Sequence, residues 1–98
     1  MTVQLIVLGT RRPDTDNDYD AYAAASGKLF KDAGAIPAAR WDRVGHIAGD
    51  NGPEQIMVVD FPDEDSIRAL FDSPEYQAVV PHRDAAYETL DIIVASAG

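Results

Sequence analysis

The first apolar segment of the chain is hydrophobic on both faces of a β-strand, and this limits what the chain can fold into. Apolar side chains on one face, Val3, Leu5 and Val7, alternate with Ile6 and Leu8 on the other. Successive side chains of a strand point to opposite faces, so a strand with one face in water carries polar residues there. The same two-sided pattern recurs near 55–61 and 89–96, so we expect both faces of the sheet to be buried.

The order of the predicted elements is β-α-β-β-α-β, with the second helix split in two. Strands are predicted at 2–9, 35–48, 55–61 and 89–96, and helices at 17–33, at 62–73 and from Ser73 onwards. Either Asn17 or Asp18 is expected to cap the first helix, and Gly34 to end it. The pair Asn51 and Gly52 favours a hairpin turn between the second and third strands.

Proline and serine positions indicate how the second helical segment is divided. Ser73 is expected to cap a helix that has Pro74 in its first position. Pro81 lacks a backbone N–H and clashes with the preceding turn, so it is expected to interrupt this helix, which then resumes through Tyr87.

Two helical layers of this length cover one face of a four-stranded sheet, and the other apolar face needs a partner. A twofold copy of the same chain is the simplest partner, so the sequence predicts a homodimer joined sheet to sheet. With 98 residues, the chain is expected to form one α+β domain over residues 1–98.

Charge and composition exclude several classes of protein. Seventeen acidic against eight basic residues give a net charge of −9, which disfavours nucleic acid and anionic membranes as partners. The absence of cysteine excludes disulfides and thiolate chemistry. The strand pattern begins directly after Met1 without a basic, signal-like start, so we expect a cytoplasmic protein.

The sequence favours neither a metal nor a cofactor. It has two histidines, His46 and His82, and no glycine-rich phosphate loop in a strand-to-helix context. His82, Asp84 and Glu88 share a helical face, but acidic helices produce such trios by chance. We therefore expect no bound metal and no cofactor, with a haem on His46 or His82 as the alternative left open.

The candidate catalytic residues are His82, Arg83, His46 and Asp60. A histidine moves protons near neutral pH, and an arginine stabilises a developing oxyanion. Structural alternatives are a solvated His82, a His46 satisfied within the second strand, and an Arg83–Asp60 ion pair.

The candidate binding residues are Tyr22, Arg40, Trp41 and Tyr76. The tyrosines are more typical of core aromatics with a tethered hydroxyl. Trp41 is either core filling or the wall of a pocket. Arg40 either binds an anion or pairs with Asp42 or with an acid of a partner chain.

The C-terminal half resembles a family of uncharacterised domains, number thirteen-thirty among the domains of unknown function. The matching positions are Asp60, Phe61, Pro62, Ser73, Pro74, Glu75, Tyr76, Pro81 and Arg83. The resemblance is strong from Ile56 to Gly98, and weaker in the N-terminal half, where Tyr22 is the main match. Trp41 and Asp42 stand where family members commonly have two glycines, and His82 stands where an apolar residue is more usual.

The resemblance implies a ferredoxin-like protomer of the dimeric α/β-barrel group, whose pockets lie between sheet and helices. That group includes cofactor-free monooxygenases, cyclases, decarboxylases, isomerases and haem proteins. We therefore expect a cofactor-free enzyme that performs acid–base chemistry on a hydrophobic carbonyl or phenolic metabolite, as an isomerase, cyclase, lyase or monooxygenase, in secondary metabolism. The alternative is a protein that binds such a ligand without catalysis. Catalysis is favoured if His46, His82 and Asp60 point into the pocket, and binding is favoured if tryptophan, tyrosine and aliphatic residues line it.

Overall fold

The computed structural model describes residues 3–50 and 52–96, which form one four-stranded sheet and four helices. In chain order the elements are β1 (Val3–Arg11), α1 (Asp16–Asp32), β2 (Ile36–Asp42), β3 (Gln55–Phe61), α2 (Glu64–Asp72), α3 (Pro74–Gln77), α4 (Val80–Ala86) and β4 (Tyr87–Ser96). The strand order is β2-β3-β1-β4, and all neighbours are antiparallel. The predicted α+β, ferredoxin-like fold with a split second helix is confirmed.

The hydrophobic core lies between the helices and one face of the sheet, which we call the helix face. Leu5, Val59 and Phe61 point from this face into a cluster that also holds Tyr76 and Ile67. These five side chains are at most 2% exposed. Within a single chain, no described helix packs on the other face, which we call the open face.

The open face is mostly apolar, as the strand pattern predicts, with Gln4, Asp60 and Asp91 as polar members. Strand registry places Ile6 opposite Val58 and Ile93 on this face. Ile93 is 44% exposed in the single chain. The two-sided hydrophobic pattern is therefore explained by one face packed under the helices and one face available to a partner.

The second strand and its connection differ from the prediction. The prediction placed a strand over 35–48, but β2 ends at Asp42, and residues 43–54 form a long connection instead of a tight hairpin. Arg43 N–H donates to the Glu54 carbonyl at 2.7 Å and closes the base of this connection. His46 thus lies in a loop and not in a strand. Asn51, part of the predicted turn, lies outside the described residues.

Several other element boundaries also differ from the prediction. Gly9 was expected to end the first strand, but β1 continues to Arg11 because β4 pairs with it over the same length. The last strand begins at Tyr87, two residues before the prediction. The first helix begins at Asp16, before either predicted cap, and its boundary residue Thr15 makes no side-chain cap hydrogen bond. Gly34 adopts a φ of +84° just after α1, as a helix-ending glycine does.

The split of the second helix is confirmed, but its cause differs. Ser73 caps α3 as predicted, because its Oγ accepts from Tyr76 N–H at 3.2 Å. That helix already ends at Gln77, before Pro81. Pro81 lies in the first turn of α4, where its missing N–H has no helical partner to lose, so it begins a new helix.

Candidate functional site

A mostly apolar space on the helix face lies between α1 and strands β2 and β3, and we call it the α1 cleft. Its volume is about 420 Å³, within the range of small-molecule sites. Most of the lining is apolar or aromatic. The lining residues include Tyr22, Gly27, Phe30, Lys31, Arg40 and Tyr87. A small hydrophobic molecule fits a cleft of this size and lining.

A β-bulge brings Arg40 to the α1 cleft. Between β2 and β3 the register shifts after Pro37, so that Ala39 pairs with Val58 and Arg40 with Met57. Without the extra residue, strict alternation would place Arg40 opposite Ile56, on the open face. An added residue in one strand re-aims the side chains that follow it. The bulge therefore directs Arg40 to the helix face and Trp41 to the open face.

The charged side chains that line the α1 cleft are both positive. Lys31 and Arg40 line it, and none of its described lining residues is Asp, Glu or His. Among residues 3–50 and 52–96, neither cation forms an ion pair. The alternative pairing of Arg40 with Asp42 is not seen, although both side chains belong to the same face of β2. The cleft is a cationic site in a chain of net charge −9.

Tyr22, Tyr76 and Arg83 form one hydrogen-bonded chain beside the α1 cleft. The hydroxyl oxygens of the two tyrosines lie 2.8 Å apart, and Arg83 Nη1–H donates to the Tyr76 oxygen at 3.1 Å. Tyr76 is 1% exposed, so its hydroxyl depends on these two partners. Arg83 Nε–H also donates to Asp84 at 3.2 Å. The structure thus brings three of the predicted site residues together.

This environment keeps Tyr22 and Tyr87 protonated. Burial, with the hydrogen bond to Tyr76, raises the pKa of Tyr22 far above its ordinary value. Burial also raises the pKa of Tyr87. For Arg83, burial works against the charge, but the hydrogen bonds to Tyr76 and Asp84 outweigh it and raise the pKa. These groups can donate hydrogen bonds, whereas a tyrosinate base is disfavoured.

Arg83 also borders a second space on the other side of the core, which we call the β4 cleft. Its volume is about 450 Å³, and it is lined by Arg12, Arg83, Asp84, Tyr87, Glu88, Leu90 and Ile92. Here two arginines are balanced by two acids. Arg83 therefore borders a cleft, but its guanidinium already donates hydrogen bonds to Tyr76 and Asp84.

The remaining predicted residues lie elsewhere. His82 Nδ1 is 2.8 Å from Asp18 Oδ1, an exposed contact between α4 and α1. His46 is exposed in the loop, with Nε2 2.8 Å from the Ala48 carbonyl. Neither histidine lines the α1 cleft or the β4 cleft.

Asp60 and Trp41 lie on the open face, away from both clefts. Asp60 accepts a hydrogen bond from Gln4 Nε2 at 3.1 Å on the open face, so the Arg83–Asp60 pair does not form. Trp41 is 54% exposed and pairs in register with Ile56 on that same face. It therefore neither fills the core nor lines the α1 cleft or the β4 cleft.

Lys31 and Tyr87 are cleft residues that the sequence reasoning missed. Lys31 lies in the last turn of α1, where a basic residue is explained by the helix dipole alone. Tyr87 was assigned to the end of a helix, but it begins β4 and packs against Gly9. A Cβ at Gly9 would lie 2.9 Å from Tyr87 Cε1, so the bare glycine was the available signal for an aromatic ring at this position.

The described residues contain neither a metal-binding cluster nor a membrane-spanning helix. No group of three or more His, Cys, Asp or Glu side chains there is arranged to hold a metal ion. No helix of that part of the chain is long and apolar enough to span a bilayer.

Solved structures share this fold at low sequence identity. A protein of unknown function from Rhodopseudomonas palustris, RPA0582, aligns with a TM-score of 0.84 and 20% identity over 99% of this chain and 82% of that one. A dimeric ferredoxin-like protein of unknown function from Thermobifida fusca aligns with a TM-score of 0.61 and 20% identity over 99% and 92% of the two chains. SnoaB, a cofactor-independent oxygenase from Streptomyces nogalater, aligns with a TM-score of 0.70 and 11% identity over 98% and 92%.

Sequence comparison identifies the family. No functionally curated protein is significantly similar to the chain. The sequence profile of the domain of unknown function DUF1330 matches residues 6–97, nearly the whole length. The chain therefore belongs to the DUF1330 family, as the residues around Ser73–Arg83 had indicated.

Proposed function

We propose that the protein binds a small hydrophobic metabolite in the α1 cleft. The observation that carries this proposal is the lining of the cleft, which is mostly aromatic and aliphatic and contains none of His46, His82 and Asp60. A lining of aromatic and aliphatic residues without these titratable groups favours binding over acid–base catalysis. The volume of about 420 Å³ suits one ligand with one or two rings.

Gly27 allows this proposal to be tested without damaging the core. It lies within α1, lines the cleft, and a Cβ added to it would meet no atom within 4 Å. Gly27→Leu therefore fills the cleft and also raises helix propensity by roughly 1 kcal/mol. We expect aromatic fragments to shift the amide resonances of α1 and β2 in the wild type, and not in Gly27→Leu.

The matched control is Gly45→Leu, because Gly45 lies in the loop outside the cleft and its added Cβ would also meet no atom within 4 Å. This variant should bind fragments as the wild type does. Undiminished binding by a folded Gly27→Leu variant would exclude the α1 cleft as the site.

The second candidate function is a cofactor-free enzyme using the same cleft. It is supported by the chain from Arg83 through Tyr76 to Tyr22, whose last member lines the cleft and stays protonated. A hydroxyl backed in this way donates a hydrogen bond to a ligand oxygen, as an oxyanion-stabilising group does. The fold is also that of SnoaB, a cofactor-independent oxygenase. Conversion of a bound ligand, seen by mass spectrometry in the wild type and lost in Tyr22→Phe with binding retained, is the result this candidate requires.

We also propose that the protein is a homodimer joined through its open faces. Support comes from the exposed Ile93 and Trp41 on this face, and from the similar Thermobifida fusca protein described as dimeric. A stable interface of this kind buries more than about 1,000 Å² in total. Ile93→Asp should give a folded monomer in sedimentation, whereas Ala24→Asp, exposed on α1, should remain dimeric. A monomeric wild type at micromolar concentration would exclude the dimer.

A further inference from the structure

The α1 cleft has a charge opposite to that of the whole protein. The chain carries a net charge of −9, yet the two charged side chains that line the cleft, Lys31 and Arg40, are both cations. Four of the other six Lys and Arg residues, Arg11, Lys28, Arg68 and Arg83, each form an ion pair with a nearby acid, whereas Arg12 and Arg43 form none among the described residues. Acids are abundant, so a cleft without one points to a ligand that supplies the negative charge.

The backbone conformation of β2 places Arg40 at the cleft. The bulge after Pro37 turns Arg40 to the helix face, at a position that regular alternation would assign to the open face. Arg40 also borders the small extension of the cleft lined by Val7, Gly9 and Tyr87. A cation is thus directed to one end of a mostly apolar space.

We propose that the ligand of the α1 cleft is an aromatic monoanion, a carboxylate or a phenolate, whose charged group contacts Arg40 and whose ring lies among Phe30, Met57 and Tyr87. This inference rests on the proposed binding function and adds the chemical class of the ligand. Lys31, at the end of α1, supplies the second positive charge. An arginine engages a carboxylate through two parallel N–H donors, which fixes the orientation of the ligand as well as its charge.

The test compares two aromatic probes of matched shape, 2-naphthoate and the neutral 2-naphthalenemethanol. Charge-assisted hydrogen bonds make the anion the better ligand, and we expect it to bind roughly tenfold to a hundredfold more tightly by calorimetry. Arg40→Gln should remove most of that preference while leaving the affinity for the alcohol unchanged. Lys31→Gln should reduce the preference by a smaller factor.

Two control variants remove the same charges outside the cleft. Arg43→Gln removes an arginine that follows the end of β2, and Lys28→Gln removes an exposed lysine that pairs with Asp32. Both should bind the two probes as the wild type does, which separates contact with Arg40 from the effect of net charge. Equal loss in Arg40→Gln and Arg43→Gln would overturn the inference.

The outcomes also separate this inference from the proposed function. If both probes bind with equal affinity and shift the amides of α1, the binding function stands and the anionic class is wrong. If neither probe binds, both proposals fail. Binding of 2-naphthoate that Gly27→Leu does not affect would place the anion outside the α1 cleft and would overturn the inference as well.

Discussion

The hydroxyl oxygens of Tyr22 and Tyr76 lie 2.8 Å apart, and this contact joins α1 to α3 across the helix layer. Tyr76 is the middle member of the chain because Arg83 donates to the same oxygen at 3.1 Å. The rings of the two tyrosines meet edge to face with centroids 6.1 Å apart. The polar contact is therefore held inside an apolar cluster, where a lost partner is not replaced by bulk water.

The first prediction concerns the unequal roles of these tyrosines. Tyr76→Phe removes the partner of both Tyr22 and Arg83, so it should lower the free energy of unfolding by about 1–3 kcal/mol. Tyr22→Phe leaves Tyr76 with its arginine donor and should cost about 0.5–1.5 kcal/mol. Urea denaturation of both variants and of the double variant measures the coupling. A larger loss in Tyr22→Phe than in Tyr76→Phe would contradict the arrangement.

The second prediction concerns alkaline pH. Because the pKa of Tyr22 is raised in the folded state, folding favours its protonated form. Its contribution is full below the pKa of the unfolded chain, about 10, and declines as the pH rises above that value. Tyr87, whose pKa is also raised, acts in the same direction. The melting temperature should fall above about pH 10, and less steeply in Tyr22→Phe. Equal slopes in the two proteins would contradict the assignment to Tyr22.

The sheet was predictable from sequence because the apolar residues of its strands recur with the period of a β-strand. Alternation of Val3, Leu5 and Val7 with Ile6 and Leu8 indicates a strand that is apolar on both faces, whatever the neighbouring elements are. Gly34 and Ser73 could be assigned for a similar reason, since a left-handed helix end and a serine cap are local properties. These features depend on a few adjacent residues.

The site was less predictable because it depends on register and on contacts across the fold. The bulge after Pro37 exchanges the faces of Arg40 and Trp41. A proline in a strand indicates either an edge strand or a bulge, so Pro37 alone does not fix the register. The Arg83–Asp60 ion pair considered from the sequence does not form, for a related reason. Asp84 is adjacent to Arg83 in the chain, whereas Asp60 is on the opposite side of the sheet, facing Gln4.

The third prediction concerns Gly9 and Tyr87. An alanine Cβ at position 9 would lie 2.9 Å from Tyr87 Cε1 and 3.1 Å from Leu90 Cδ1, so the ring must move. Gly9→Ala should therefore cost about 1–3 kcal/mol of stability, and it should change probe binding because Tyr87 lines the α1 cleft. The control is Gly27→Ala, which meets no atom and should be stabilising by roughly 1 kcal/mol. If Gly9→Ala is as stable as the wild type, Tyr87 does not pack on β1 as described.

The last prediction separates a structural from a ligand-binding role for Arg83. Arg83→Ala removes the donor to Tyr76 but leaves Tyr22 as its partner, so we expect a loss of about 1 kcal/mol. Binding of 2-naphthoate should be unchanged, because Arg83 lines the β4 cleft and not the α1 cleft. Arg68→Ala removes an arginine from an exposed pair with Glu64, and it controls for the change in charge. If Arg83→Ala matches Arg68→Ala in stability but loses tenfold or more in probe affinity, about 1.4 kcal/mol, the arginine acts on the ligand. In that case Gly27→Leu locates the effect: lost binding in that variant means that Arg83 acts through Tyr76 and Tyr22 on a ligand in the α1 cleft, and unchanged binding places the ligand in the β4 cleft.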